Sequence, residues 1–177
     1  MGTSHKQTNR KEKVNIVAAT TPMQLLLNDL PQVGKVDWLG VRPAQKEAMV
    51  EPDSVELRTD IGIVGDRYVG RSGKRQVTLI QSEHLLAIAA FLGREEIEPS
   101  LLRRNIMIRG LNLLALKNRA FTLGSARLEF TGLCHPCSAM QQQFGSGGYN
   151  AVRGHGGITA RVLLSGIVRL GDTLQAD

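Results

Sequence analysis

Cys134 and Cys137 are the two cysteines of a 177-residue chain, set as Cys-His-Pro-Cys in the stretch FTGLCHPCSAMQQQFGSGG. Four kinds of chemistry suit that spacing. A disulfide would close a very short loop and constrain little unfolded chain, so stability does not explain the pair. Zinc needs four protein ligands, or three and a water. Cys134 and Cys137 supply one pair, His135 would have to fold back, and His155 is the other nearby candidate. A thioredoxin-like couple belongs early in a βαβ unit, whereas this motif comes late in the chain. The fourth option is one working thiol. Pro136 precedes Cys137, and SAMQQQFG is predicted as a short helix ended by Gly145. That places Cys137 at a helix N-terminus, where unpaired N–H groups favour an anion. A thiolate there is a soft ligand for a transition metal and a good sulfur acceptor. Cys134, in the less polar approach TGLC, reads as a structural or auxiliary thiol, and burial as small hydrophobes accounts for either cysteine.

Other residues suggest anion binding, each with a plainer reading beside it. In RGHGGITAR, Gly154, Gly156 and Gly157 allow close backbone approach or positive φ, and successive N–H groups can cradle an anion. Arg153, His155 and Arg161 flank the run, and a tight turn that needs glycine would produce the same sequence. Arg103, Arg104 and Asn105 stand at the start of a predicted strand. Alternation there sends one arginine to a cleft and the other to solvent. Asp66-Arg67 after Gly65 reads as turn chemistry or as a cleft rim. Arg42 is held extended by Pro43, which suits either an anion contact or a plain strand end. The earlier GSGG lacks the strand and the order of a dinucleotide fingerprint, and reads as a mobile loop near the thiol. Glu83 complements a helix dipole, and His84 is read as surface.

The elements that must position these groups are mostly strands. Thr21 caps a helix with Pro22 at its first position, closed by Pro31, after a short strand in VNIVAATT. Strands are predicted over Lys35–Arg42, Val55–Arg58 and Gln76–Ile80. Ser82 then caps a helix with Leu85, Leu86, Ile88, Ala89 and Leu92 on one face, ended by Gly93. One helical turn in EPSLL leads to a strand through Ile106 and Ile108. In ARLEFTG, Ala126, Leu128 and Phe130 alternate with Arg127, Glu129 and Thr131, the mark of a half-buried strand. GITARVLLSGIVRLGDTLQ reads as two strands joined at Ser165-Gly166, with a tight turn at Gly171-Asp172. Many short strands and few helices imply a mainly β fold, a single closed or strongly coiled β-barrel. The expected division is a basic leader over 1–13, an extension over 14–34 and the barrel domain over 35–177.

Composition narrows the function classes. At 42% hydrophobic and 21% charged the chain is globular, and no apolar run approaches the roughly 18–20 residues of a membrane helix. The N-terminus lacks the apolar segment of a secretory signal, which points to the cytoplasm. The formal charge is +6, of which the leader holds +3 through Lys6, Arg10, Lys11 and Lys13 against Glu12. A pI near 9.7 suits an anionic partner. Aromatics are only 4%, too few for the stacking platforms of single-strand binders, so nucleic acid is not the expected partner.

Together GIVGDRY, RQVTLIQSEHL, LLRRNIMIRGLNLLAL, FTLGSARLEFTGLCHPCSAM and GHGGITARVLLSGIVRLGD resemble the MOSC domain, the C-terminal module of molybdenum-cofactor sulfurases, and most of all its short stand-alone bacterial members. The likeness runs from Lys35 to Asp172. It implies a β-barrel with a shallow cleft and one functional cysteine, matched best by Cys137; Cys134 belongs to only some members. It also implies a molybdenum cofactor (molybdopterin), with Cys137 carrying sulfur or ligating molybdenum, and it favours Arg104 and Asn105 as cofactor contacts. The pterin phosphate would fall to Arg42, Arg67, Arg104, Asn105, Arg153, His155, Gly156, Gly157 and Arg161. No fused cysteine desulfurase accompanies the domain, so pyridoxal phosphate is not expected, and a separate desulfurase or electron-donor reductase becomes the expected partner. The expected function is cofactor binding with sulfur carriage or transfer. The alternatives are a molybdenum-dependent reductase component acting on N-hydroxylated compounds, and a non-enzymatic cofactor carrier or basic nucleic-acid-binding barrel.

Overall fold

The structure, a computed structural model, describes residues 20–68, 70 and 72–177. The basic leader and the strand expected in VNIVAATT lie outside the described residues. Helix α1 (Pro22–Asn28) starts as expected, with a capping box between Thr21 and Gln24.

Seven strands close the barrel. They are β1 (Gly34–Leu39), β10 (Thr173–Ala176), β6 (Ala120–Leu123), β7 (Ala126–Leu133), β8 (Ile158–Leu164), β4 (Val77–Gln81) and β5 (Ile106–Arg109), in that spatial order, with β5 returning to β1. All neighbours are antiparallel except β4 and β5. These run parallel, with Leu79 opposite Ile106. A parallel neighbour needs a crossover, and α2 (Ser82–Phe91) with the 3₁₀ turn Pro99–Leu102 supplies it. The short β3 (Gly62–Ile63) and β9 (Gly166–Arg169) flank β2 (Ser54–Arg58), each pairing with it, in a small separate sheet.

The chain after Ser165 departs from the expected pair of strands. β9 does not fold back on β8 but pairs with β2, Glu56 opposite Ile167, and β10 then re-enters the barrel. Three strands therefore occupy the segment read as two. The first barrel strand stops at Leu39, short of Arg42; beyond it Val41 makes only an isolated bridge to Val50.

Two apolar cores result. The barrel interior is filled by such side chains as Phe121, Leu128, Ile106, Leu79 and Ile158. A second cluster lies between the barrel and the helices: Ile80, Ile88, Leu102, Met140, Phe144 and Val152 bring together α2, α3 (Ser138–Phe144) and α4 (Gly148–Val152). Helix α2 buries Leu85, Ile88 and Ala89, but Leu86 faces solvent, so the apolar face is narrower than expected. Gln81 takes the N-cap position rather than Ser82, whose hydroxyl donates to Asp37 at 2.9 Å. The helix does end at Gly93, through the paired Gly93-to-Ala90 and Arg94-to-Ala89 bonds of a Schellman turn.

Candidate functional site

The cysteine segment is the link from β7 to α3. Its accessibility alternates as in a strand: Cys134 and Pro136 are buried, His135 and Cys137 exposed. The Cys134 N–H donates to the Gly157 carbonyl at 2.9 Å, and its carbonyl accepts from Arg104 Nη2 at 3.3 Å. Cys137 is the N-cap of α3, with extended backbone (φ −129°, ψ 179°) and a thiol that makes no capping bond. Both cysteines are free thiols. Among the described residues no three His, Cys, Asp or Glu side chains converge as a metal site.

Three depressions meet at this segment, and His135 lines all of them. One, of about 290 Å³, has Cys134 and Cys137 on its wall with Arg42, Arg67, Arg75, Arg103 and Arg104 around it. A second, of about 400 Å³, opens on the other flank of Cys137, where Lys74, Arg75, Thr131 and Thr159 line it. The third, also about 400 Å³, is mainly apolar and reaches the segment from the Cys134 side.

The five arginines are not equivalent. Arg42 makes a two-pronged pair with Asp66, Nε and Nη2 each 2.9 Å from a carboxylate oxygen. Asp66 also accepts from the N–H groups of Arg42 and Tyr68 and from Asn105 Nδ2, all within 3.0 Å. Burial alone would raise the Asp66 pKa; the hydrogen bonds and charge of Arg42 outweigh it and hold the carboxyl below its ordinary 3.8. Asn105, fully buried, is saturated: Oδ1 accepts from Thr78 and Arg42, and Nδ2 donates to Gly40 and Asp66. It positions Arg42 and presents no free group to a ligand.

Arg103 takes a left-handed backbone (φ +54°) at the end of the 3₁₀ turn, before β5 begins. The alternation expected of strand neighbours therefore does not apply, and both Arg103 and Arg104 line the same depression. Arg103 Nη1 donates to the Glu47 carbonyl at 2.7 Å, while Nη2 is buried without a partner. Desolvation, with the charges of Arg67 and Arg42, pushes its pKa down. Arg104 is 8% exposed and donates to three carbonyls, Gly156 at 2.7 Å, Leu102 at 3.1 Å and Cys134 at 3.3 Å, with no carboxylate among them. Burial lowers its pKa; Cys134 and Cys137 are the groups that act the other way. Among the described residues, five arginines and one carboxylate, Asp66, leave four positive charges around one exposed thiol.

The glycine-rich run sits elsewhere. A Cβ at Gly156 would meet the Cys134 carbonyl, and one at Gly157 the Leu79 carbonyl, so packing alone demands glycine at both. Arg153 lines the apolar depression, Arg161 pairs with Glu129 on the strand face, and His155 packs edge-on against His84 with its Nδ1 buried and unpartnered. None of these reaches the arginine-lined depression. His84, read as surface, is half-buried and lines the apolar one, because α2 lies over the end of the barrel rather than free in solvent. Arg75 and Arg103 gain weight from the structure. Arg75 belongs to the basic run GKR just before β4, a charge cluster next to a strand start that could have marked it.

The fold is a closed mixed barrel with one exposed thiol beside an arginine-lined depression. The MOSC domain profile matches residues 62–175, well over half of the sequence, and the chain belongs to that family. Similar solved structures include YuaD from Bacillus subtilis, at 22% identity and TM-score 0.69 over 80% of this chain and 94% of that one. YiiM from Geobacillus stearothermophilus gives 16% identity and TM-score 0.65, covering 81% and 75% of the two chains. YiiM from Escherichia coli gives 19%, 0.61, 81% and 69%. At these identities the structures speak for the fold alone. Comparison with the curated proteins found no match.

Proposed function

We propose that this protein binds an anionic molybdopterin-type cofactor in the arginine-lined depression and uses the Cys137 thiol to carry sulfur there or to ligate the cofactor's metal. The family is linked to the molybdenum cofactor. The observation that carries the reading for this chain is Arg104: a guanidinium buried beside the two thiols with carbonyl partners and, among the described residues, no counter-charge. A buried unpaired charge is costly, and an anion beside it removes most of that cost.

The donor set fits such a group. Arg67, Arg75 and Arg103 would hold a phosphate, Arg103 through its unpartnered Nη2. Arg42 and Asn105 keep the surrounding backbone in place, and Arg104 does so while adding its buried charge beneath the anion. With no cluster of ligating side chains among the described residues, a metal here would arrive on its cofactor and meet one protein ligand, the Cys137 sulfur. The cofactor would supply redox chemistry; this chain supplies the charge, the fixed thiol and an open approach.

For sulfur carriage, the Cys137 thiolate attacks the outer sulfur of a donor persulfide. A sulfur–sulfur bond forms on Cys137, the donor's own sulfur–sulfur bond breaks, and the donor leaves as a thiolate. After incubation with a cysteine desulfurase and cysteine, mass spectrometry should find the added sulfur on the wild-type chain and on Cys134→Ser, and none on Cys137→Ser. Equal labelling of wild type and Cys137→Ser would remove Cys137 from this role. Molybdenum that co-purifies from the native host with wild type but not with Cys137→Ser would select metal ligation over carriage.

A further inference from the structure

The apolar depression on the Cys134 side lies apart from the arginine cluster, and its lining is distinct. Leu113, Leu114, Leu133 and Ile158 form the walls, and Gln81, His84, His135, Tyr149 and Arg153 are its polar side chains. Among the described residues no Asp or Glu lines it, and Arg153 is its one arginine or lysine. Among the described residues neither the Arg153 guanidinium nor the Tyr149 hydroxyl makes a hydrogen bond or an ion pair. Arg153 follows the last turn of α4, and the glycine after it leaves open space at the mouth. At about 400 Å³ the depression falls within the roughly 300–1,000 Å³ of small-molecule sites, where apolar walls and a few polar groups set orientation.

We propose that this depression binds a compact, mainly apolar monoanion, a small aryl- or alkyl-carboxylic acid, with its carboxylate on Arg153 and Tyr149. The inference goes beyond the cofactor reading and stands without it. One arginine among aliphatic walls matches one negative charge on an apolar body. A phosphate dianion is better served by the several cations of the neighbouring depression. A cation would meet Arg153 with no carboxylate to offset the repulsion. His84 adds a neutral contact: its Nδ1 lies 3.3 Å from the His155 carbonyl, which fixes the proton there and leaves Nε2 as an acceptor. Burial first, and then the neighbouring His155, hold the His84 pKa below its ordinary 6.5, so the ring is uncharged at neutral pH.

The position gives the site its interest. Cys134 and His135 line both this depression and the arginine-lined one, so a bound acid would sit one side chain away from the thiol centre. The two ligand classes would occupy opposite sides of a single segment, Cys134–Cys137.

Calorimetry on the full chain with 3-phenylpropionate, and with 3-phenylpropionamide as its uncharged match, tests this. The acid should bind wild type at least about tenfold more tightly than the amide. Arg153→Gln should erase that preference and Arg153→Lys retain part of it, with thermal melts of both variants confirming that they fold. Cys137→Ser should bind the acid as wild type does, so loss of the persulfide role and loss of this site are read separately. Equal binding of acid and amide, an unchanged preference in Arg153→Gln, or no binding of either up to about 1 mM would overturn the proposal.

Discussion

Asp66 sets how much of the arginine charge is left for a ligand. It neutralises Arg42 from a nearly inaccessible position, 1% exposed, and its five donors come from three separate segments. Its carboxyl is held below 3.8 in the fold, so its contribution is present above that value and is lost as pH falls through the lower folded value. Chemical denaturation from neutral pH to below 3.8 should show the decline. Asn105→Asp should flatten the trend. A second carboxylate 2.8 Å from Asp66 costs roughly 2–4 kcal/mol at neutral pH, and the deficit against wild type shrinks as acidification protonates one of the two. If the variant matched wild type at pH 7, the network would not be holding the depression in shape.

At the level of elements, α2 offers the sharpest contrast. Ile88 is fully buried and Leu86 is 69% exposed, though both belong to the apolar face expected from spacing. Ile88→Ala should cost about 2–4 kcal/mol and Leu86→Gln no more than about 0.5 kcal/mol in urea unfolding. Gly93→Ala should cost about 1 kcal/mol, because φ is +65° in open space and only the backbone resists. Local signals of this kind were legible in the residues: the alternation at the start of β7, Ala126 to Leu128, the stop at Gly145 after α3, the Thr21 cap. So was Cys137 as the exposed N-cap, since Pro136 and the helix pattern act over a few residues. The turn of β9 into a second sheet was not, because it depends on β2, more than a hundred residues earlier. Asn105 was also opaque: its bonds reach Gly40, Asp66 and Thr78, and no spacing rule reports partners so far away. Arg103 was misjudged through its left-handed backbone, which only the chain's tight exit from the 3₁₀ turn into β5 imposes on a non-glycine residue.

For the molecule as a whole, the positive charge is concentrated where it can act. Half of the formal +6 belongs to the leader, outside the described residues, yet five arginines gather around one depression of the barrel. An anion bound there stabilises the fold by mass action, about 2.7 kcal/mol at a hundred times its Kd. Inorganic phosphate should therefore raise the melting temperature of wild type more than chloride does at matched ionic strength. Arg67→Ser with Arg75→Ser should abolish the difference, since both side chains are exposed and neither makes a hydrogen bond or ion pair among the described residues. An undiminished phosphate effect in the double variant would place the anion elsewhere.

The parallel pairing of β4 with β5 has a consequence for how the chain reaches this state. Hairpins such as β6 with β7 can zip from their turns, but these two strands meet only after the intervening helix has swung over. The longest-range closure of the ring is β1 with β10, Gly34 opposite Leu174, so its sealing is a late event of high contact order, and folding should be slow compared with a helical bundle of equal length. Until the seal forms, two unpaired strand edges stay exposed to neighbouring chains, so this protein should refold best when dilute.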